Sequence, residues 1–147
     1  MAFPDFNENG DLPVGIYKAT LEEVLEHFGQ GSLQRQVVGG RLKKIFYSAV
    51  STNQVLRFII YGSFVTAKES PNDIDTFILM NEGFDPDEVF GKSHLIFNHL
   101  TTQEYEGASI FWGTKSGIIG DVDKFIEGWQ LKRDKNLRGI VEVKIND

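Results

Sequence analysis

No cysteine occurs in the 147 residues, which excludes disulfides, cysteine-ligated zinc and thiol nucleophiles. Basic residues are short as well, with Lys+Arg 15 against Asp+Glu 21 and a formal charge of -6. That deficit argues against non-specific nucleic-acid binding, which needs a basic field over the phosphates. It leaves room for a small basic pocket around one nucleotide. No apolar run approaches the roughly 20 residues of a membrane span. The opening MAFPDFNENGDLP has acidic residues where a signal peptide needs basic ones, so the cytoplasm is the expected location. Internal repeats, low-complexity tracts and Pro/Ser/Gly linkers are missing too, and one domain over residues 1–147 is expected. What the chain does have is apolar bulk. Twelve Phe and a 41% hydrophobic fraction are enough for a packed core and exclude intrinsic disorder.

Residues 1–15 are rich in turn formers (Pro4, Asn9-Gly10, Pro13, Gly15) and read as a surface arm. Thr20 and Glu23 form a capping box for a helix whose apolar face is Leu21, Val24, Leu25 and Phe28, stopped by Gly29. A second helix follows Ser32 and runs to about Ser51, with an apolar stripe of Leu33, Val37, Leu42, Ile45, Phe46 and Ala49. Residues 55–61 (VLRFIIY), 74–80 (IDTFILM) and 108–112 (ASIFW) read as strands. Residues 86 to about 99 and 122–131 read as helices. At 139–145, Val141, Val143 and Ile145 alternate with Glu142 and Lys144, which predicts an antiparallel edge strand with one solvated face. The order α-α-β-β-α-β-α-β predicts an α/β (α+β) mixed sheet flanked by helices.

The chemistry concentrates in Tyr61-Gly62-Ser63-Phe64-Val65-Thr66 and Pro71-Asn72-Asp73-Ile74-Asp75. Gly62 permits a sharp turn and close approach of a bulky polyanion. If Ser63, Phe64 and Val65 begin a helical turn, they offer N–H groups and a hydroxyl to phosphate oxygens. Asp73 and Asp75 are two apart at the start of a strand, so their side chains leave one face. Paired carboxylates beside a phosphate cradle suit Mg²⁺ or Mn²⁺ carrying substrate phosphates. Two such ions about 3.5–4 Å apart support an in-line displacement. The bland alternative is that Gly-Ser and Pro-Asn-Asp are ordinary turns.

Gly62-Ser63 followed by Asp73-x-Asp75 resembles the signature of the polymerase-β-type nucleotidyltransferase superfamily. A small bacterial minimal-nucleotidyltransferase-like branch is similar over nearly the whole chain. The similarity covers residues 3–10 (FPDFNENG) with 12–16 (LPVGI), 19–23 (ATLEE) with Phe28-Gly29, and 62–68 (GSFVTAK) with 71–75 (PNDID). It extends to Arg133-Asp134-Lys135 and 138–141 (RGIV). The resemblance implies a nucleotidyltransferase-type fold, Mg²⁺ and a nucleoside triphosphate (NTP), with Gly62 and Ser63 at the phosphates and Asp73 and Asp75 on metal. It implies transfer of a nucleotidyl group to an acceptor hydroxyl, in some small relatives on a partner toxin, as antitoxins do. The superfamily pattern has a third carboxylate on a later strand, and here Ser109 takes that place. Serine is neutral and is no general base by itself. The competing expectation is therefore a catalytically degenerate protein that masks a partner or senses a nucleotide. Glu104 and Glu106 lie just upstream as alternative acids.

Other signals are weaker. Lys68, between the motif halves, is a candidate to neutralise a triphosphate, and Lys115 a lesser one. Gly91-Lys92-Ser93 lacks the first glycine of a P-loop. His27, His94 and His99 have no zinc-ligand spacing. Trp112 and Trp129 sit on apolar patterns and are expected in the core.

Overall fold

The computed structural model describes residues 3–97 and 107–145. Five strands, β1 (Ile16–Ala19), β2 (Val55–Tyr61), β3 (Ile74–Met80), β4 (Ala108–Gly113) and β5 (Ile140–Val143), form one mixed sheet in the order β1-β5-β2-β3-β4. The pairs β1–β5 and β3–β4 are parallel, whereas β2 runs antiparallel to both β3 and β5. Around the sheet lie α1 (Leu21–Phe28), α2 (Leu33–Val50), α3 (Lys92–Phe97) and α4 (Val122–Glu127). The chain is thus a single mixed α/β domain.

The two faces of the sheet are covered unequally. Residues Phe58, Ile60, Ile74, Ile78, Ile110, Val141 and Val143 point to the thick core under α1, α2 and α3. Ile59, Phe77, Leu79 and Ile140 point the other way, toward Ile126 of α4 and the Trp129 ring. That second face is thinner, and Asp75 and Ser109 share it by the two-residue period of their strands.

Several sequence expectations need correction. β5 is not an edge strand: it lies between β1 and β2 and all four of its residues are buried. Its alternation was misleading because Glu142 is inside, bonded by Arg57 through Nε–Oε2 (3.1 Å) and Nη2–Oε1 (2.7 Å). A buried carboxylate with a forked partner looks the same in sequence as a solvated one. β1 was not anticipated at all. Four residues with turn formers before them give little periodicity, and parallel pairing with β5 supplies the order. Nor is the 1–15 segment simply an arm on the surface, since Asp11 (4% exposed) and Leu12 (0%) are buried.

The predicted helices are also trimmed. Residues 86–97 contain a 3₁₀ turn at Pro86–Glu88 and then α3, not one continuous helix, and His99 lies outside the described residues. The 122–131 helix ends at Glu127 and continues as a 3₁₀ turn, Gly128–Gln130. On α2, Leu33 and Val37 are exposed, and the buried stripe is Arg35, Val38, Gly39, Leu42, Ile45, Phe46 and Ala49. An arginine occupies a core position of that helix, and it controls the loop described next.

Candidate functional site

β2 ends at Tyr61, and Gly62 turns the chain with φ +83°, a conformation that an L side chain rarely adopts. A Cβ at Gly62 would also collide with Oδ2 of Asp75. The Asp75 carboxylate therefore lies directly over the glycine. In the antiparallel ladder Tyr61 faces Asp75, and in the parallel ladder Asp75 faces Ser109. The Ser109 hydroxyl lies on the same face and favours the charged form of the Asp75 carboxylate. Gly62, Asp75 and Ser109 are thereby neighbours across three adjacent strands, at one end of the sheet. Asp73 lies one residue before β3 and is exposed. Its charge acts on Asp75.

Burial holds the Asp75 carboxyl above the ordinary carboxylate range, and the like charge of Asp73 adds to this. The Ser109 hydroxyl and the positive charges of Arg138 and Arg133 work in the opposite direction. Neither Asp73 nor Asp75 has an ion-pair partner among the described residues. Tyr61 is pushed up strongly by burial and then by Asp75.

A raised carboxyl binds its proton more readily in the folded chain than in the unfolded one. This group therefore costs stability as pH rises through the interval from the ordinary carboxylate value to its folded value, and acidification through that interval relieves the cost. Asp75→Asn should accordingly raise the melting temperature at neutral pH, and the gain should shrink as pH falls toward 4. Thermal melts of both proteins across pH 4–8 check this; an asparagine variant less stable at pH 7 would contradict it.

The loop joining the two halves of the motif is held from α2. The buried Arg35 guanidinium donates to the carbonyls of Phe28 (2.8 Å), Phe64 (2.8 Å), Thr66 (2.5 Å) and Lys68 (3.1 and 2.6 Å). All five of its N–H groups are thus used. Ser32 caps α2 through the Arg35 amide and donates to the Glu69 carbonyl at 2.8 Å. Arg41 reaches the Asn72 carbonyl at 3.0 Å. From the other side, the Ala67 amide donates to Gly10 O at 2.8 Å.

Residues 63–65 do form a single 3₁₀ turn, but the Val65 amide is directed back to Gly62 O at 3.4 Å and both Phe64 and Val65 are buried. Gly62 is buried under the Asp75 carboxylate, and Ser63, half-buried, is the more open residue of the turn. Lys68 is exposed, and its carbonyl rather than its ammonium is the atom that the fold uses. Lys115 follows β4 at the opposite end of the sheet from Asp75, too far to serve the same site. Glu104 and Glu106 lie outside the described residues. Among the described residues no third carboxylate or histidine completes a metal-binding group.

A family profile matches residues 4–144 of this chain, a span that includes every residue of the site. The chain belongs to the DUF6932 family, described as a family of unknown function. No curated protein and no solved structure matches it. In this DUF6932 chain, sequence reasoning missed two sets of site residues. One is Arg35, whose signal is a charged residue falling on the buried period of a helix. The other is the pair Arg133 and Arg138, which act on Asp75 across the chain. Nothing local in sequence shows that the segment before β5 returns to the Gly62 end of the sheet.

Among the remaining candidates in the DUF6932 protein, Trp112 is half-buried against the core and its Nε1 donates to Phe97 O at 3.1 Å. Trp129 packs tilted against Tyr61, with ring centroids 4.5 Å apart, and stacks on Phe77 and Phe111. His27 packs among Phe3 and Phe28, and His94 bonds the Pro86 carbonyl at 3.0 Å. These placements give the rings packing roles.

Proposed function

We propose that the protein binds a nucleoside triphosphate together with Mg²⁺ or Mn²⁺, in the manner of a polymerase-β-type nucleotidyltransferase. The observation that carries the reading is the seat of Asp75 directly over Gly62, beside the charge of Asp73, with no cationic side chain bonded to either carboxylate among the described residues. Two carboxylates and the Ser109 hydroxyl are hard oxygen donors suited to such an ion. A bound divalent ion would polarise a phosphoryl oxygen and lower the pKa of an attacking hydroxyl. On this reading Asp73 and Asp75 hold the ion, while Gly62 makes room for the Asp75 carboxylate and Ser63 offers its hydroxyl to the phosphates. Lys68 stands at the loop as a candidate counter-charge. Transfer of the nucleotidyl group to an acceptor hydroxyl, such as one on a partner toxin, is the activity that this arrangement would serve.

Ser109 favours a second reading. With a neutral side chain beside Asp75, the protein would bind nucleotide with little turnover and act by sensing it or by masking a partner. Both readings share the binding step, and calorimetry tests that step. ATP should bind the protein only when Mg²⁺ or Mn²⁺ is present, because two carboxylates alone repel a polyanion. Asp73→Asn with Asp75→Asn should abolish that binding while leaving the fold intact. Equal affinity with and without the ion, or in the double variant, would remove the proposal.

A further inference from the structure

The eight residues 131–138 (LKRDKNLR) hold four basic side chains and one acid in a chain of net charge -6. They form a small hairpin closed by a bridge between Leu131 and Leu137, with Arg133 and Asp134 at the turn and Lys135 in a left-handed conformation after them. Both of its ends are fixed at the Gly62 end of the sheet. It starts two residues after Trp129, whose ring lies on Tyr61, the ladder partner of Asp75. It ends one residue before Gly139, which is pinned by its amide to Leu12 O at 2.9 Å and leads directly into β5. No Cβ fits at Gly139, because it would meet Leu12 and the Pro13 carbonyl.

Beneath the hairpin sits Asp11, 4% exposed, with Lys132 Nζ at 2.8 Å and Arg138 Nη1 at 3.4 Å. A single buried carboxylate thus orients two cations from opposite strands of the hairpin. The segment carrying Asp11 also accepts the Ala67 amide at Gly10 O. It therefore joins the hairpin to the loop that bears Gly62 and Ser63. Arg133, between the two anchored cations, is exposed and has no hydrogen-bond or ion-pair partner among the described residues. Asp134 beside it is turned to the Asn136 amide at 3.0 Å and to Lys132.

We infer that the hairpin 131–138 is a second wall of the same site, in which Arg133 and Arg138 receive the oxygens of a polyphosphate lying against the Gly62-Ser63 turn. The inference rests on the proposed nucleotide reading for the site, and it adds the residues and the ligand chemistry that the motif leaves out. Arginine suits the task, since its planar fork matches two phosphate oxygens at once. Asp11 is a positioning residue here: it holds the hairpin and does not touch the ligand. The polyphosphate, rather than the base, is the feature recognised.

The test compares Mg-ATP with inorganic tripolyphosphate and Mg²⁺, on the full chain and on Arg133→Gln and Lys135→Gln, by calorimetry with thermal melts as a fold control. Arg133 and Lys135 are both exposed, so neither change should unfold the protein. Both ligands should bind the unaltered chain. Arg133→Gln should weaken both by about tenfold, in line with loss of one charge-assisted hydrogen bond, and Lys135→Gln by much less. If Mg-ATP binds and Arg133→Gln leaves it unchanged, or if Lys135→Gln costs as much, the second wall is wrong while the nucleotide reading stands. If tripolyphosphate binds through Arg133 but ATP binding ignores Asp73→Asn with Asp75→Asn, the wall stands and the metal-nucleotide reading falls. Binding of neither ligand overturns both.

Discussion

Replacing Arg35 by methionine should lower the melting temperature by on the order of 10 °C and open the loop between the two motif halves to proteolysis. Arg35 is 8% exposed, and its guanidinium bonds four carbonyls, those of Phe28, Phe64, Thr66 and Lys68. Methionine keeps much of the apolar stem but leaves those carbonyls without donors in a poorly solvated place. Each buried polar atom left unpaired costs about 1–3 kcal/mol. Because part of the loop can relax to water, a net loss of about 3–5 kcal/mol is expected. At about 2–4 °C per kcal/mol for a domain of this size, that gives the stated shift. Lysine should rescue little, since one ammonium does not reproduce a five-donor planar fork. A melt within about 2 °C of the unaltered protein would show that the carbonyl cage carries no stability.

The same arginine shows where sequence and structure part company. Capping signals, strand runs and the helix stop at Gly29 are local, and they were legible: the Thr20–Glu23 box is formed as expected. The Gly62-Ser63 and Asp73-x-Asp75 motifs could be picked out of the sequence, and the resemblance to the superfamily pattern pointed to Ser109, which pairs with Asp75 in the parallel ladder. What could not be read is long-range. Glu142 looks solvated until Arg57 is found 85 residues earlier in the chain. Asp11 looks like part of an acidic arm until Lys132 and Arg138 arrive from the far end. Charged residues inside a fold are placed by their partners, and neither alternation nor helical period reports a partner.

On the proposed nucleotide reading, Ser109→Asp should raise nucleotidyl transfer. The position faces Asp75 in the parallel ladder, on the same face of the sheet. A carboxylate there would bring a third negative charge to a pair that is already self-repelling. Without added cation the variant should therefore melt below the unaltered protein. With saturating Mg²⁺ or Mn²⁺ the order should reverse, since an ion at 100 times its Kd stabilises the folded state by about 2.7 kcal/mol. A third carboxylate also supplies a proton acceptor near an incoming hydroxyl. General-base assistance is worth about 10²–10⁴-fold in rate. Labelling of an acceptor from radiolabelled NTP should accordingly rise at least tenfold in Ser109→Asp and stay flat in Ser109→Ala. Robust labelling by the unaltered chain that Ser109→Ala leaves untouched would mean that position 109 has no part in transfer. Cation-independent melting of Ser109→Asp would mean more, because three carboxylates on neighbouring strand positions that gain nothing from Mg²⁺ do not share an ion site.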